Sequence, residues 1–132
     1  MLAIDIGTSS VRAALYGQSL QPVRRATQVR YRWRNGSDGS VEAAPAAIEK
    51  AVAQAIDGAL DGVTTRVEAV AIAAFWHSLL GVDAQGRAVT SVIPWSDTRS
   101  ARQVGSMRER LDDFVAAIQD GPDRQHPADD KA

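Results

Sequence analysis

The sequence contains no cysteine, few aromatic residues and no excess of charge of either sign. Without cysteine it can form no disulfide scaffold, thiol nucleophile or cysteine-ligated zinc site, and it fits a reducing compartment. Its 15 lysines and arginines against 16 aspartates and glutamates give a net charge of −1. Because nucleic-acid-binding proteins usually carry a basic surface, we expect no nucleic-acid partner.

Long hydrophobic runs are also absent. No apolar stretch approaches the roughly 18 residues of a membrane span. The first apolar segment, Leu2 to Ile6, is too short for a signal peptide and contains Asp5. We therefore expect a cytoplasmic protein without a membrane partner. The 132 residues, 45% hydrophobic but only 5% aromatic, predict one domain with a core of aliphatic side chains and alanine.

Near the start of the chain, hydrophobic side chains alternate with other residues. Residues 2–6 and 11–15 alternate with the period of a strand, and Gly7-Thr8-Ser9-Ser10 between them is a turn-forming cluster. The pattern predicts a β-hairpin. A third strand is predicted within Val23 to Trp33, with its arginines facing solvent. Residues 35–40 have the composition of a loop.

The rest of the chain mixes helical and strand patterns. Helices are predicted from Pro45 to Leu60, ended by Asp61-Gly62, and around residues 104–118, ended by Gly121-Pro122. Residues 67–74 favour a strand buried on both faces, and residues 79–82 and 89–93 favour short strands. The order predicts an α/β fold with an antiparallel opening meander and a crossover helix. We expect one partial domain over residues 1–122 and a disordered tail over 123–132.

A first candidate site lies in Asp5-Ile-Gly-Thr-Ser-Ser10. A carboxylate on a buried strand is costly without a ligand, and Gly7 allows close backbone approach to a guest. The amides and hydroxyls of Thr8, Ser9 and Ser10 suit phosphate oxygens. Asp5 suits Mg²⁺, and Arg12 suits a phosphate. The alternative is a polar turn that faces water and bonds only to local amides.

A second candidate site combines two segments that follow apolar strands. They are Phe75-Trp-His-Ser78 and Pro94-Trp-Ser-Asp-Thr-Arg99. Ligands in α/β sheets bind at strand ends, and a tryptophan face can stack on a sugar ring. The alternative is structural: Trp76 and Trp95 fill the core, and Asp97 caps the last helix.

Together these pieces resemble one family. Residues 5–12, Asp-Ile-Gly-Thr-Ser-Ser-Val-Arg, resemble the phosphate hairpin of the FGGY carbohydrate kinases, of the actin–hexokinase–Hsp70 superfamily. Gly39-Ser-Val-Glu42 before Pro45 resembles the segment that leads into the family's first helix. Residues 73–83, then Gly86, then residues 93–99 are similar to its sugar-binding stretch. These residues are most similar to those of gluconokinases and xylulokinases, and the resemblance runs from residue 2 to about residue 118.

The resemblance implies an RNase H-like, actin-like ATPase N-terminal domain that binds ATP, Mg²⁺ and a sugar or sugar acid. It implies that Asp5 positions the metal–nucleotide complex and that the turn binds phosphate. The implied nucleotide and sugar residues are Asp5, Gly7, Thr8, Ser9, Ser10 and Arg12, and Trp76, His77, Trp95, Asp97 and Arg99. Trp76 occupies a position where the family commonly has Met or Arg, so the resemblance does not identify which sugar is bound.

The family's catalytic base is an aspartate far downstream of residue 132. We therefore expect a truncated kinase segment with no catalytic residue of its own, inactive alone, and prone to self-association or to pairing with the remainder of the kinase. Two alternatives are a non-catalytic sugar- or partner-binding module and another sugar or acetate kinase of the same superfamily.

Overall fold

The computed structural model describes residues 1–119, which form two compact units, Met1–Thr98 and the segment that begins at Arg99. The elements are β1 Leu2–Ile6, β2 Ser10–Leu15, β3 Thr27–Arg30, β4 Arg34–Asn35, β5 Val41–Glu42, α1 Pro45–Leu60, β6 Val70–Ala74 and α2 Ala101–Gln119. Four strands form a sheet in the order β3-β2-β1-β6, and β4 and β5 form a second, two-stranded sheet.

The predicted opening hairpin is confirmed. β1 and β2 pair antiparallel, with Ile4 opposite Ala13 and Asp5 opposite Arg12. Alternate side chains of both strands point into the core, as the sequence alternation requires. The third strand is shorter than expected, since regular pairing with β2 covers only Thr27–Arg30. The predicted exposure of its arginines is confirmed.

The helix predicted from Pro45 is also confirmed, and it packs on β2 and β3. Proline at the first helical position suits a helix start because its missing N–H would have no partner there. Ala51, Ala55 and Ala59 repeat every four residues and are buried. Because alanine has no side chain beyond Cβ, the helix lies close to the sheet, and Gly62, with φ +68°, follows its end.

The strand within residues 67–74 forms, as β6, but its predicted burial on both faces is wrong. β6 pairs parallel to β1, with Ile72 beside Ile4. All five of its residues are exposed, and Ile72 is 67% exposed against 5% for Ile4. The helix α1 covers β2 and β3, whereas the main contacts of β6 within the Met1–Thr98 unit are with β1. This difference in coverage explains the exposure of β6.

Beyond β6, backbone pairing is sparse. The strands predicted at residues 79–82 and 89–93 are reduced to isolated bridges, Leu79 with Ile93 and Val82 with Ala88. A further bridge joins Ala43 to Val92 through hydrogen bonds of 3.0 and 2.9 Å. The predicted loop at 35–40 is confirmed except at Asn35, which ends β4; residues 36–40 connect β4 to β5 as the turn of a short hairpin.

The second unit contains the predicted last helix, as α2. Its expected end at Gly121-Pro122 and the expected tail over 123–132 lie outside the described residues. No helix among residues 1–119 is long and apolar enough to cross a membrane.

Candidate functional site

The turn between β1 and β2 is tight. The Gly7 amide donates to the Ser10 carbonyl at 3.0 Å. A Cβ on Gly7 would lie 3.3 Å from that same oxygen, closer than most Cβ contacts in proteins. Gly7 is not among the residues with positive φ, so lack of space, rather than backbone conformation, favours glycine here.

Polar side chains around this turn are already partly paired. Asp5 and Arg12 form a cross-strand ion pair of 3.2 Å, and both side chains are about half exposed. The expectation that Asp5 is a costly carboxylate on a buried strand is therefore wrong, because water and Arg12 both reach it. Ser10 is buried, and its hydroxyl accepts from Gln28 at 2.8 Å. Thr8 and Ser9 are exposed.

The turn is also held by aromatic residues that the sequence patterns placed only on a strand. The Tyr31 hydroxyl donates to the Gly7 carbonyl at 2.6 Å, and the Trp33 indole N–H donates to the Thr8 carbonyl. In the sequence, Val29, Tyr31 and Trp33 alternate with arginines. This alternation predicts that the three side chains face inward, but it does not predict that two of them donate hydrogen bonds to the turn.

A cavity of about 480 Å³ joins the two candidate sites. It is lined by Thr8, Trp33, Asn35, Val41, Pro94, Trp95 and Ser96. Thr8 comes from the hairpin turn, and Trp95 comes from a segment more than 80 residues later. The lining combines two indole rings with hydroxyl and amide groups and contains no charged side chain. Such a mixture suits a small polar molecule with an apolar face.

The segment that carries Trp95 is fixed to the residues before α1. The Asp97 carboxylate accepts from the Val41 amide at 2.9 Å. The Thr98 amide donates to the Gly39 carbonyl at 3.0 Å. Asp97 therefore holds β5 in place, and its roles as a sugar ligand and as a helix cap stay predictions. Arg99 begins the second unit.

Trp76 and His77 do not line this cavity. Trp76 is 79% exposed and Trp95 is 72% exposed, so the alternative in which both tryptophans fill the core is wrong. His77 is exposed too, has a φ of +55°, and lies with its ring centroid 6.1 Å from that of Trp76. A non-glycine residue with this φ is uncommon, and such residues cluster at functional sites.

Solved structures share this fold. The chain superimposes with a TM-score of 0.77 and 21% identity on a gluconate kinase from Lactobacillus acidophilus, covering 89% of the chain and 25% of that protein. A xyloylose kinase from Brucella ovis superimposes with a TM-score of 0.75 and 28% identity, covering 87% of the chain and 24% of that protein. A glycerol kinase from Plasmodium falciparum, solved with ADP, superimposes with a TM-score of 0.77 and 17% identity, covering 92% of the chain and 29% of that protein. The chain thus has the fold of part of these carbohydrate kinases, as the resemblance implied.

Residues 1–119 match the N-terminal domain of the FGGY family of carbohydrate kinases, and the chain belongs to this family. It spans about a quarter of the length of the solved kinases that it resembles. No curated protein matches the chain in sequence.

Proposed function

We propose that this chain is the nucleotide- and sugar-binding N-terminal part of an enzyme that transfers the γ-phosphoryl group of ATP to a hydroxyl of a sugar or sugar acid. One observation carries the proposal. The 480 Å³ cavity has Thr8 of the hairpin turn on one side and Trp95 on another, so a phosphate-binding turn and an aromatic wall share one space. Membership of a carbohydrate kinase family supports it.

The phosphate end of the site consists of the turn and Arg12. The exposed hydroxyls of Thr8 and Ser9 can donate to phosphate oxygens, and the half-exposed Arg12 guanidinium supplies positive charge. Gly7 allows the tight turn, and Ser10 supports it from below through Gln28. The glycerol kinase of the same fold was solved with ADP, which supports nucleotide binding by a protein of this fold.

Magnesium fits Asp5. Mg²⁺ is typically held by one or two carboxylates together with water and substrate phosphates, rather than by an all-protein cage. Asp5 offers one half-exposed carboxylate, directly before the turn. Groups of three or more acidic, histidine or cysteine side chains suited to a metal do not occur among the described residues, so Asp5 would hold the ion together with the nucleotide. Bound there, Mg²⁺ would neutralise charge on the phosphates.

For the sugar, Trp95 supplies an exposed apolar face, and the cavity polar groups supply hydrogen-bond partners. We place Trp76 and His77 in a second part of the sugar site, because both side chains are exposed after a strand end and free to contact a ligand. Asp97 acts mainly by positioning this wall through Val41. Arg99 remains a candidate for a sugar hydroxyl or carboxylate.

In the complete reaction, the sugar hydroxyl oxygen forms a bond to the γ-phosphorus while the bond from that phosphorus to the β–γ bridging oxygen breaks. The hydroxyl proton passes to a base, and ADP leaves. None of the residues placed in the site above is assigned as that base, so we expect the 132-residue protein by itself to show no sugar-dependent ADP release above background. An open cleft also leaves bound phosphate screened by water, so we expect weak ATP binding.

A direct test of the site is sugar binding by the 132-residue chain. D-xylulose, gluconate and glycerol would be titrated while the indole N–H signals of all three tryptophans are followed by NMR. We expect at least one of these compounds to shift the Trp95 and Trp33 signals, and the Trp95→Ala variant to lose the Trp33 shift. The absence of any shift with all three compounds at millimolar concentration would contradict the sugar site.

A second test concerns Asp5 in an enzyme that contains this segment and its downstream domain. Asp5→Asn should lower turnover about 100-fold or more with the fold retained, because the carboxylate positions the charged nucleotide. Asp57→Asn, on the exposed side of α1, is the matched control and should leave turnover unchanged. Near-normal turnover of the Asp5 variant would reject the assignment.

The uncovered strand β6 supports a further part of the proposal, namely self-association or pairing with the remainder of a kinase. Exposed apolar strands at a sheet edge favour association. We expect the sedimentation coefficient of the isolated chain to rise with concentration, and Ile72→Lys to weaken this dependence. A concentration-independent monomer would contradict it.

A further inference from the structure

Three consecutive carbonyl groups of the β1–β2 turn accept hydrogen bonds from one short segment, residues 31–33. The Tyr31 hydroxyl donates to Gly7 O at 2.6 Å, and the Trp33 indole N–H donates to Thr8 O. The Tyr31 amide donates to Ser9 O at 3.4 Å. Both the side chains and the backbone of this segment thus contact the turn that carries the proposed phosphate site.

These contacts fix the direction of the turn amides. The described peptide bonds are all trans, and in a trans peptide the N–H points opposite to the C=O of the same unit. Because Gly7 O and Thr8 O point toward Tyr31 and Trp33, the N–H groups of Thr8 and Ser9 point away from them. Successive amides presented outward by a turn form an anion-binding nest.

The two donors are themselves well anchored. Tyr31 is buried in the main core. Trp33 packs against Tyr31 and Phe75, with ring centroids 6.0 Å away in each case, and the Phe75 amide donates to Ile6 O at 3.0 Å. Burial raises the pKa of Tyr31 above its ordinary value, so its hydroxyl keeps its proton near neutral pH and stays a donor.

We propose that Tyr31 and Trp33 are positioning residues that hold the 7–9 turn so that the Thr8 and Ser9 amides face the phosphate oxygens of the nucleotide. The identity of the ligand rests on the function proposed above. The control of the turn by these two side chains does not, since it is a property of the ligand-free chain.

The first measurement is the ¹⁵N order parameter of the Thr8 and Ser9 amides in the ligand-free 132-residue chain. Tyr31→Phe and Trp33→Phe remove one donor each and keep an aromatic ring. We expect the order parameters to fall from about 0.85 in the wild type toward about 0.6 in the variants, with the β1 amides unchanged. Tyr16→Phe is the matched control, since no hydrogen bond from the Tyr16 hydroxyl occurs among the described residues. It should change neither the order parameters of the turn amides nor those of the β1 amides.

The second measurement is the Kd of Mg²⁺–ADP for the same proteins, followed by amide shifts. We expect each variant to bind about fivefold more weakly, the ratio expected for one neutral hydrogen bond, and to unfold only a few degrees below Tyr16→Phe, since one hydrogen bond of the folded chain is lost. Wild-type order parameters in both variants, or unchanged affinity with a binding-competent wild type, would overturn the positioning role. Failure of the wild type itself to bind counts against the proposed function, while the order parameters still decide the positioning role.

Discussion

The strands β2 and β6 lie on opposite sides of β1, and the less apolar of the two is the one that is buried: β2 contains Ser10 and Arg12, whereas every residue of β6 is apolar. Val11, Ala13 and Leu15 of β2 are buried under α1. Val70 and Ile72 of β6, on the side of the sheet that α1 covers elsewhere, remain exposed. Burial therefore depends on a second layer as well as on apolar sequence. Within the Met1–Thr98 unit, α1 covers β2 and β3 and stops short of β6.

The neighbouring isoleucines of β1 and β6 give the sharpest test of this difference. Ile4 and Ile72 are register partners on one face of the sheet. We expect Ile4→Ala to lower the free energy of unfolding by about 2–5 kcal/mol, because it leaves a cavity in the core. Ile72→Ala should change it by at most about 0.5 kcal/mol, because the side chain already contacts water. Urea denaturation of both variants measures the two values.

Equal losses for the two variants would show that β6 is covered in solution. Self-association is one way to cover it, so the measurement is repeated at several protein concentrations. A cost for Ile72→Ala that appears only at high concentration would identify a second copy as the cover.

A second contrast lies between two glycines with positive φ. Gly39, at +84°, lies against Thr98, whereas nothing lies within 4 Å of a Cβ at Gly86, at +76°. Gly86→Ala should cost about 1 kcal/mol from backbone strain alone. Gly39→Ala should cost about 1 kcal/mol more, since Thr98 must turn away and lose its hydrogen bond to Gly39 O. Thermal unfolding monitored by circular dichroism distinguishes them.

In a Thr98→Ala background, the obstructing hydroxyl is absent. The two glycine substitutions should then cost the same. If the difference persists there, the contact between the residues before α1 and the Trp95 segment is not its source.

The smallest expected effect concerns the turn at Asp83. Its carboxylate accepts from the Arg87 amide at 2.8 Å, the Arg87 Nε at 2.7 Å and the Gln85 amide at 3.0 Å. The Arg87 amide bond, then the Arg87 side chain, hold the pKa of Asp83 below its ordinary 3.8. Because the folded pKa is the lower one, the stabilisation is complete above about pH 4 and is lost as pH falls through the folded pKa.

Comparison of wild type with Asp83→Asn at several pH values measures this contribution. The Tm difference between the two proteins should be small, because the ion pair is exposed. It should be constant from pH 5 to 7 and smaller at pH 3. A difference that grows as the pH falls would contradict the assigned sign.

Much of the fold could be predicted because it rests on local patterns. The alternation of residues 2–15 predicts the hairpin, and the spacing of Ala51, Ala55 and Ala59 predicts the face of α1 that is buried. Residues 5–12 and 93–99 identify the two halves of the candidate site. The exposure of β6 and the sparse pairing at residues 79–93 could not be predicted, because an apolar strand has the same sequence pattern whether or not another element covers it.

The sequence by itself determined the hairpin, the helices and the residues that carry the family resemblance, since turn residues and hydrophobic period act over a few neighbouring positions. Only the tertiary structure decided which groups meet. It joined Thr8 to Trp95 in one cavity, paired Asp5 with Arg12, assigned Asp97 to the Val41 amide, and placed Tyr31 and Trp33 on the turn carbonyls. Contacts between residues tens of positions apart depend on the register of the strands and the path of the chain, which no local pattern encodes.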